Sequence, residues 1–196
     1  MELVLTIFVS YLIGSISFGI LAGKLFRGID IRKHGSGNTG VTNVLRTLGK
    51  GPATAVLIGD VCKGMLAVWI GLQLGGLVYG MVAGFCVEVG HMYPAYHGLK
   101  GGKGAATGFG VMLMLAPDVI AVGIAVFILT IILTRYVSLG SILGAVVCVM
   151  MTFVFGKPPI LQLFVAVMAC FVIYQHRANI VRLYRRQESK VSFGSK

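Results

Sequence analysis

The sequence predicts an all-α, polytopic membrane protein, and three observations lead there. Of its 196 residues, 57% are hydrophobic and only 12% are charged, against roughly a quarter charged in soluble domains. Mean hydropathy is +0.91. Several apolar runs approach or exceed the roughly 20 residues that a helix needs to cross a bilayer. The alternating pattern of a membrane β-barrel is absent, and irregular backbone cannot face lipid. The expected architecture is a seven-transmembrane-helix bundle in one domain, residues 1–196.

Apolar runs and their punctuation place the crossings near 2–23, 53–74, 77–96, 104–116, 119–134, 138–155 and 159–176. The fourth is short and rich in Gly, as expected of a tilted, broken or protein-buried segment. The opening Met1-Glu2 lacks the cationic region of a signal peptide, so 2–23 is read as the first span. Lys24, Arg27, Arg32, Lys33, Arg46 and Lys50 follow span one, Lys100 and Lys103 follow span three, and Arg135 follows span five. Arg177, Arg182, Arg185, Arg186, Lys190 and Lys196 follow span seven, so fifteen of the seventeen cations share one side. Lys157 lies opposite, and Lys63 lies within a span. By the positive-inside rule the C-terminus is cytoplasmic and the N-terminus outside. The same rule accounts for the net charge of +11, and the basic face attracts anionic lipid headgroups. No basic domain stands apart from the membrane body, so nucleic acid is not an expected partner.

Cys62, Cys86, Cys148 and Cys170 lie in apolar segments without CxxC spacing and read as small packing residues. Asp60 and Lys63, three apart, are expected to pair within span two, and Glu88 lies three before His91 in span three. Ionisable groups at membrane depth face protein or water and mark functional sites by default. Here both pairs are read as architectural, since a buried charge needs a partner in any case.

Three polar clusters carry the chemistry. The first runs from Gly35 through Ser36, Gly37, Asn38, Thr39, Gly40, Thr42 and Asn43 to Arg46. Its GxGxxG letters match a dinucleotide fingerprint, but the charged segment before it is no buried strand and no βαβ unit follows. What survives is the local physics: glycines can turn successive amides toward one anion, and a helix beginning near Thr42 favours negative charge at its start. Arg46 adds a planar fork suited to phosphate oxygens.

The second cluster is Gly90-His91-Met92-Tyr93-Pro94 followed by Gly98-Leu99-Lys100-Gly101-Gly102-Lys103-Gly104. A Walker-type loop would need Gly where His97 stands and Ser or Thr where Gly104 stands, so an ATP loop is rejected. A glycine turn carrying Lys103 at the membrane surface still suits a phosphate or carboxylate. The third cluster closes span seven, where His176 and Asn179 are three apart and share a helix face.

Together the three clusters closely resemble the PlsY family, the acyl-phosphate-dependent glycerol-3-phosphate acyltransferases of bacteria. The resemblance covers nearly the whole chain, from span one to about Glu188. Two departures are Leu99 for the usual Phe and Arg186 where a Gly is usual between Leu183 and Glu188. The second bears on the structural role assumed for Glu188.

The resemblance implies a seven-helix bundle in the bacterial cytoplasmic (inner) membrane with its active site facing the cytoplasm. It implies transfer of a fatty acyl group from acyl phosphate to the sn-1 hydroxyl of glycerol 3-phosphate, giving lysophosphatidic acid and inorganic phosphate. No cofactor, metal or coenzyme A is expected, because the mixed anhydride is already activated. By carry-over, Ser36, Arg46, Lys103, His176 and Asn179 are the catalytic set. Gly35, Gly37, Asn38, Thr39, Gly40, Thr42 and Asn43 line one phosphate site, and Gly101, Gly102 and Gly104 line the loop that carries Lys103. A soluble enzyme that makes acyl phosphate is an expected partner, alongside membrane lipids. The hydroxyl proton goes either to His176 or to the departing phosphate, and an acylated Ser36 is the sharper alternative.

An anion transporter is the rival from another class, using the same loops as a selectivity site. Against it, the clusters gather on one face rather than at the midplane. The six acidic residues, Glu2, Asp30, Asp60, Glu88, Asp118 and Glu188, form no carboxylate cluster for Mg²⁺, which disfavours a metal-dependent phosphotransferase.

Overall fold

The computed structural model describes residues 1–191; Lys196, counted above among the cations after the last span, lies outside them. Among the described residues all regular structure is helical. The helices are α1 (Glu2–Ser15), α2 (Phe18–Arg27), α3 (Val41–Leu48), α4 (Lys50–Met92), α5 (Ala105–Leu115), α6 (Pro117–Thr134), α7 (Val137–Val154), α8 (Pro159–Gln175) and α9 (Arg177–Tyr184). They form two compact units, Met1–Leu115 and the residues from Ala116 onward.

In the first unit, the segment expected as the first span, near 2–23, is two helices. Ile16 and Ser17 are extended, so α1 stops and α2 restarts, running on to Arg27. The break leaves a carbonyl that no helix turn can satisfy. Lys63 satisfies it, donating from Nζ to the Ile16 oxygen at 2.8 Å.

Helix α4 folds back on itself at Gly75–Gly76, where Gly76 has φ +67° and ψ −153°. A side chain is disfavoured at that φ, and glycine adopts it freely. The reversal brings Gly71 against the Tyr79 carbonyl and the Ala83 methyl. The two arms, 50–74 and 77–92, match the two spans expected there.

Small residues set the remaining contacts, as they do where lipid removes the usual hydrophobic drive between helices. A Cβ on Gly14 would strike the Val87 carbonyl, and one on Gly90 the Tyr11 carbonyl, so α1 and the second arm approach backbone to backbone. Gly64 meets the Thr107 carbonyl and Gly110 the Val61 carbonyl, which seats α5 on the first arm. Beside the break, Ile20, Ala22, Ile31, Val44, Leu48, Ala53 and Val56 form a buried apolar cluster that joins α2, α3 and the start of α4.

In the second unit, Gly123 packs on Cys148 and Gly140 on Phe127, joining α6 to α7. Lys157 pairs with Asp118 at 2.7 Å. Helices α8 and α9 meet at His176 with a bend of 58°.

Among the described residues, four helical stretches are long and apolar enough to cross a membrane: Glu2–Arg27, Lys50–His97, Pro117–Thr134 and Val137–Val154. The bent pair α8–α9 makes a fifth if it is one span. The sequence reading of seven counts the arms of α4 separately and adds α5, whose 11 residues rise only about 16 Å.

Gly90→Leu is expected to destabilise by about 2–3 kcal/mol, because its side chain meets backbone that cannot yield. Thermal unfolding in detergent checks this, with Gly51→Ala, which points into open space, as the control.

Candidate functional site

The loop between α2 and α3 is a self-bonded cradle. Its organiser is Asn43, only 2% exposed. The Asn43 side-chain oxygen accepts from the Ser36 amide at 2.8 Å. Its amide nitrogen donates to the His34 oxygen at 3.0 Å, the Asn38 oxygen at 2.8 Å and, more weakly, the Ile31 oxygen at 3.4 Å. The Asn38 side chain accepts from the Gly40 amide at 2.8 Å, and the Gly37 amide donates to the His34 oxygen at 3.0 Å. Gly35 lies against the Asn43 side-chain oxygen, so a side chain at 35 would displace the organiser. Thr39 is buried, and its carbonyl sits on Gly19 of α2.

These bonds correct part of the sequence reading. The amides of Ser36, Gly37, Gly40 and Asn43 are used within the loop, so those four do not serve as a bare anion nest. The bonds leave the Ser36 side chain exposed at the loop tip, and Arg46 lies one turn into α3 with its side chain exposed. Helix α3 begins at Val41, close to the expected start at Thr42.

The second loop, between α4 and α5, is tied down from three directions. Tyr11 Oη donates to the Tyr93 oxygen at 2.9 Å, and the Ala95 amide donates to Ser15 Oγ at 3.2 Å. Arg32 Nη1 donates to the His97 oxygen at 2.7 Å, which joins the two loops directly. Asp30 holds that guanidinium in place, accepting from Nε at 3.0 Å and from Nη2 at 2.8 Å. The Arg32 hydrogen bonds lower the Asp30 carboxyl to about 2. Sequence reading missed this tie; its only signal is the acid two residues before an arginine.

The Gly101 amide donates to the Met92 oxygen and the Gly102 amide to the His91 oxygen, both at 3.1 Å. Gly101 and Gly102 therefore pack the loop onto the end of α4 through their own amides. Gly102 also lies against the His91 ring and Gly104 against the Glu88 carboxylate. Lys103, half-buried between these glycines, is carried by a turn that is itself well anchored. Asp60 and Lys63 pair as expected, at 2.8 Å. Glu88 and His91 do not: His91 Nδ1 faces Asp60 Oδ1 at 3.4 Å, and neither Glu88 oxygen has a hydrogen-bond partner among the described residues. A helical i, i+3 spacing permits contact but does not choose between competing partners.

In the second unit, His176 occupies the bend between α8 and α9 and is buried. Its Nδ1 lies 2.8 Å from the Val172 oxygen. A carbonyl only accepts, so Nδ1 carries the proton and Nε2 is the basic nitrogen of the neutral ring. Asn179, also buried, donates to Glu188 Oε1 at 2.6 Å. Ser138 Oγ donates to the same oxygen at 2.9 Å, and Arg182 Nε donates to Oε2 at 2.7 Å. Burial alone would raise the Glu188 carboxyl, but the bonds from Arg182, Asn179 and Ser138 outweigh it and hold the group below its ordinary value of 4.5. Glu188 thus orients Asn179. Among the described residues no three His, Cys, Asp or Glu side chains form a metal site.

A family model described as glycerol-3-phosphate acyltransferase matches residues 4–186. The chain belongs to that family, PlsY. The glycerol-3-phosphate acyltransferase of Geobacillus kaustophilus is 43% identical over 98% of both chains. That of Bacillus subtilis is 42% identical over 98% of this chain and 100% of its own. Among solved structures, PlsY (YgiH), an integral membrane glycerol 3-phosphate acyltransferase, aligns in its glycerol 3-phosphate form with a TM-score of 0.93. Identity there is 36%, covering 98% of this chain and 96% of that one. Its lysophosphatidic acid form aligns at 0.91.

The departure from the PlsY pattern at Arg186 now has a geometry. Arg186 has φ +57°, in the left-handed region, and the chain turns there so that the Gln187 amide reaches the Arg182 oxygen at 2.7 Å. A side chain is strained at that φ, yet Glu188 still reaches all three of its partners. Arg186→Gly should therefore raise stability by about 0.5–1 kcal/mol, the strain relieved exceeding the entropy glycine adds to the unfolded chain. Chemical or thermal unfolding of the purified protein checks it.

Glu188→Gln should cost about 1–2 kcal/mol at neutral pH through weakened charge-assisted bonds. Because the folded carboxyl titrates below its ordinary value, this stabilisation is full above pH 4.5 and fades as pH falls through the lowered folded value. The gap between parent and variant in melting temperature should accordingly close on acidification; a constant gap would show that the charge is irrelevant.

Proposed function

We propose that this protein transfers a fatty acyl group from acyl phosphate to the sn-1 hydroxyl of glycerol 3-phosphate, giving lysophosphatidic acid and inorganic phosphate. The observation that carries the reading is the pair of anchored loops in the first unit, one bearing Ser36 and Arg46 and the other Lys103, joined by Arg32 to the His97 oxygen. Two phosphate-bearing substrates need fixed cations and donors, and rigid loops supply them without reorganisation during reaction. The full-length likeness to glycerol-3-phosphate acyltransferases supports the choice of acceptor.

In this mechanism Ser36 Oγ, Arg46 and the first turn of α3 hold one phosphate. Lys103 serves the other substrate or the oxyanion that develops on the acyl carbon, and likeness to the family gives His176 and Asn179 of the second unit roles in the same reaction. The acceptor oxygen bonds to that carbon, the carbon–oxygen bond to phosphate breaks, and phosphate leaves with the electron pair. A mixed anhydride already has a good leaving group, so the step needs no coenzyme A, metal or covalent enzyme intermediate. The departing phosphate takes the hydroxyl proton. A second reading makes His176 the base, favoured by the Nδ1 contact with the Val172 oxygen, which fixes Nε2 as the ring's basic nitrogen.

By its likeness to the family the chain spans the bacterial cytoplasmic membrane seven times, and the charge bias supports an N-terminus outside with the C-terminus and loops in the cytoplasm. A soluble enzyme that makes acyl phosphate would meet it on that side.

The test is phosphate release from a long-chain acyl phosphate by purified protein, with and without glycerol 3-phosphate, in EDTA. Release that requires glycerol 3-phosphate and forms lysophosphatidic acid is expected, falling at least a hundredfold in Arg46→Ala and Lys103→Ala. His176→Gln separates the two proton acceptors: retained turnover favours phosphate, and loss of turnover together with a basic limb of the pH–rate profile favours His176. No release from folded parent protein would overturn the acyltransferase reading.

A further inference from the structure

Four ionisable side chains lie buried in the first unit, and the mechanism above uses none of them. Asp60, Lys63 and Glu88 are at most 4% exposed, and His91 is 6% exposed. Charges at membrane depth are costly to keep unless something is gained. Here Lys63, Asp60 and His91 form a chain of contacts with a distinct destination at each end.

One end is the break in the first span. Lys63 donates to the Ile16 oxygen at 2.8 Å, and its ammonium stands 5.7 Å over the Phe18 ring, the first residue of α2. Phe18 in turn packs on Gly59 of α4. At the next residue, Gly19 meets the Thr39 carbonyl, so the angle at which α2 leaves the break sets the position of the first loop. The other end is the second loop. Asp60 pairs with Lys63 at 2.8 Å and faces His91 Nδ1 at 3.4 Å. The far side of the His91 ring lies on Gly102, its carbonyl accepts from the Gly102 amide, and Glu88, one turn earlier, lies on Gly104. Lys103 sits between those two glycines.

We propose that Lys63, Asp60 and His91 are positioning residues that hold the Ser36–Arg46 loop and the Lys103 loop in one register from beneath. The inference rests on the reading that those loops bind the substrates' phosphates. It differs from a purely architectural role in one respect: the contacts connect the two loops to each other rather than each to the bundle.

The test is a double-mutant cycle on the full-length protein with Lys63→Met and His91→Gln. The outer tie from Arg32 to the His97 oxygen is untouched in both, so the loops stay joined at the surface while the inner link is cut. Each single variant is expected to raise the KM for glycerol 3-phosphate or acyl phosphate at least tenfold. The double variant should lose no more than the worse single, because one continuous link is broken only once. A merely structural role would lower the folded fraction, hence kcat, and leave both KM values at the parent's. If Lys63→Met fails to fold with Asp60 left unpaired, Asp60→Asn/Lys63→Met, which has neither charge, takes its place in the cycle. Unchanged KM values in folded variants, or losses that multiply in the double, would overturn the inference while the parent's activity upholds the acyltransferase reading. A folded but inert parent would overturn that reading and this inference with it.

Discussion

Hydrocarbon offers no hydrogen-bond partner, so every interruption of a helix in this chain must be satisfied by the protein itself. The bond from Lys63 to the Ile16 oxygen is where that constraint decides most. It lets the first span break at Ile16–Ser17 and α2 depart on a separate course, which brings Gly19 under the Thr39 carbonyl. Without a buried donor at that depth, a continuous helix would be the lower-energy course for residues 2–27, and the first loop would have no seat. Asp60 keeps the ammonium paired, and it engages His91 with the same oxygen.

The same economy recurs at each loop. Asn43 satisfies one amide and three carbonyls of the first loop with a single buried amide group. The second loop lays the amides of Gly101 and Gly102 on the last carbonyls of α4. In the second unit Glu188 gathers Ser138, Asn179 and Arg182. In the first case a polar side chain takes over backbone bonds that the loop gives up, in the second the loop's own amides do so, and in the third one carboxylate joins three side chains. Ser36, Lys103 and Asn179, the residues proposed for the chemistry, stand beside these organisers and are positioned by them. That is the arrangement electrostatic catalysis asks of a scaffold, since donors already in position need not reorganise.

Much of this was legible in the sequence, but unevenly. The two arms of α4 were readable because Gly75-Gly76 interrupts an otherwise apolar run, and the pairing of Asp60 with Lys63 followed from helical spacing. The break in span one was not readable. Ile16 and Ser17 are unremarkable in an apolar helix, and the donor that permits the break lies 47 residues away. The glycines of the first loop suggested an anion nest, whereas several of its amides are spent on Asn38, Asn43 and backbone carbonyls. Composition shows that a loop can turn amides toward an anion, but not whether a side chain of the same loop takes them first. The expected closeness of Glu88 and His91 failed for a similar reason, because Asp60, on the other arm, competes for the imidazole.

The sequence by itself determined that the chain is helical and membrane-embedded, where its cations lie along the chain, and which three clusters are polar. Each of those is a property of local composition or of spacing along one helix, and lipid enforces them strongly. Only the tertiary structure decided which polar groups meet. It set Asn43 inside its own loop, Glu188 on Asn179, Arg32 across to the His97 oxygen, and Lys63 at the broken end of α1. Those pairings join residues distant in the chain or choose among equally spaced candidates. They are fixed by how closely glycine-lined helices can approach, a quantity no single segment contains.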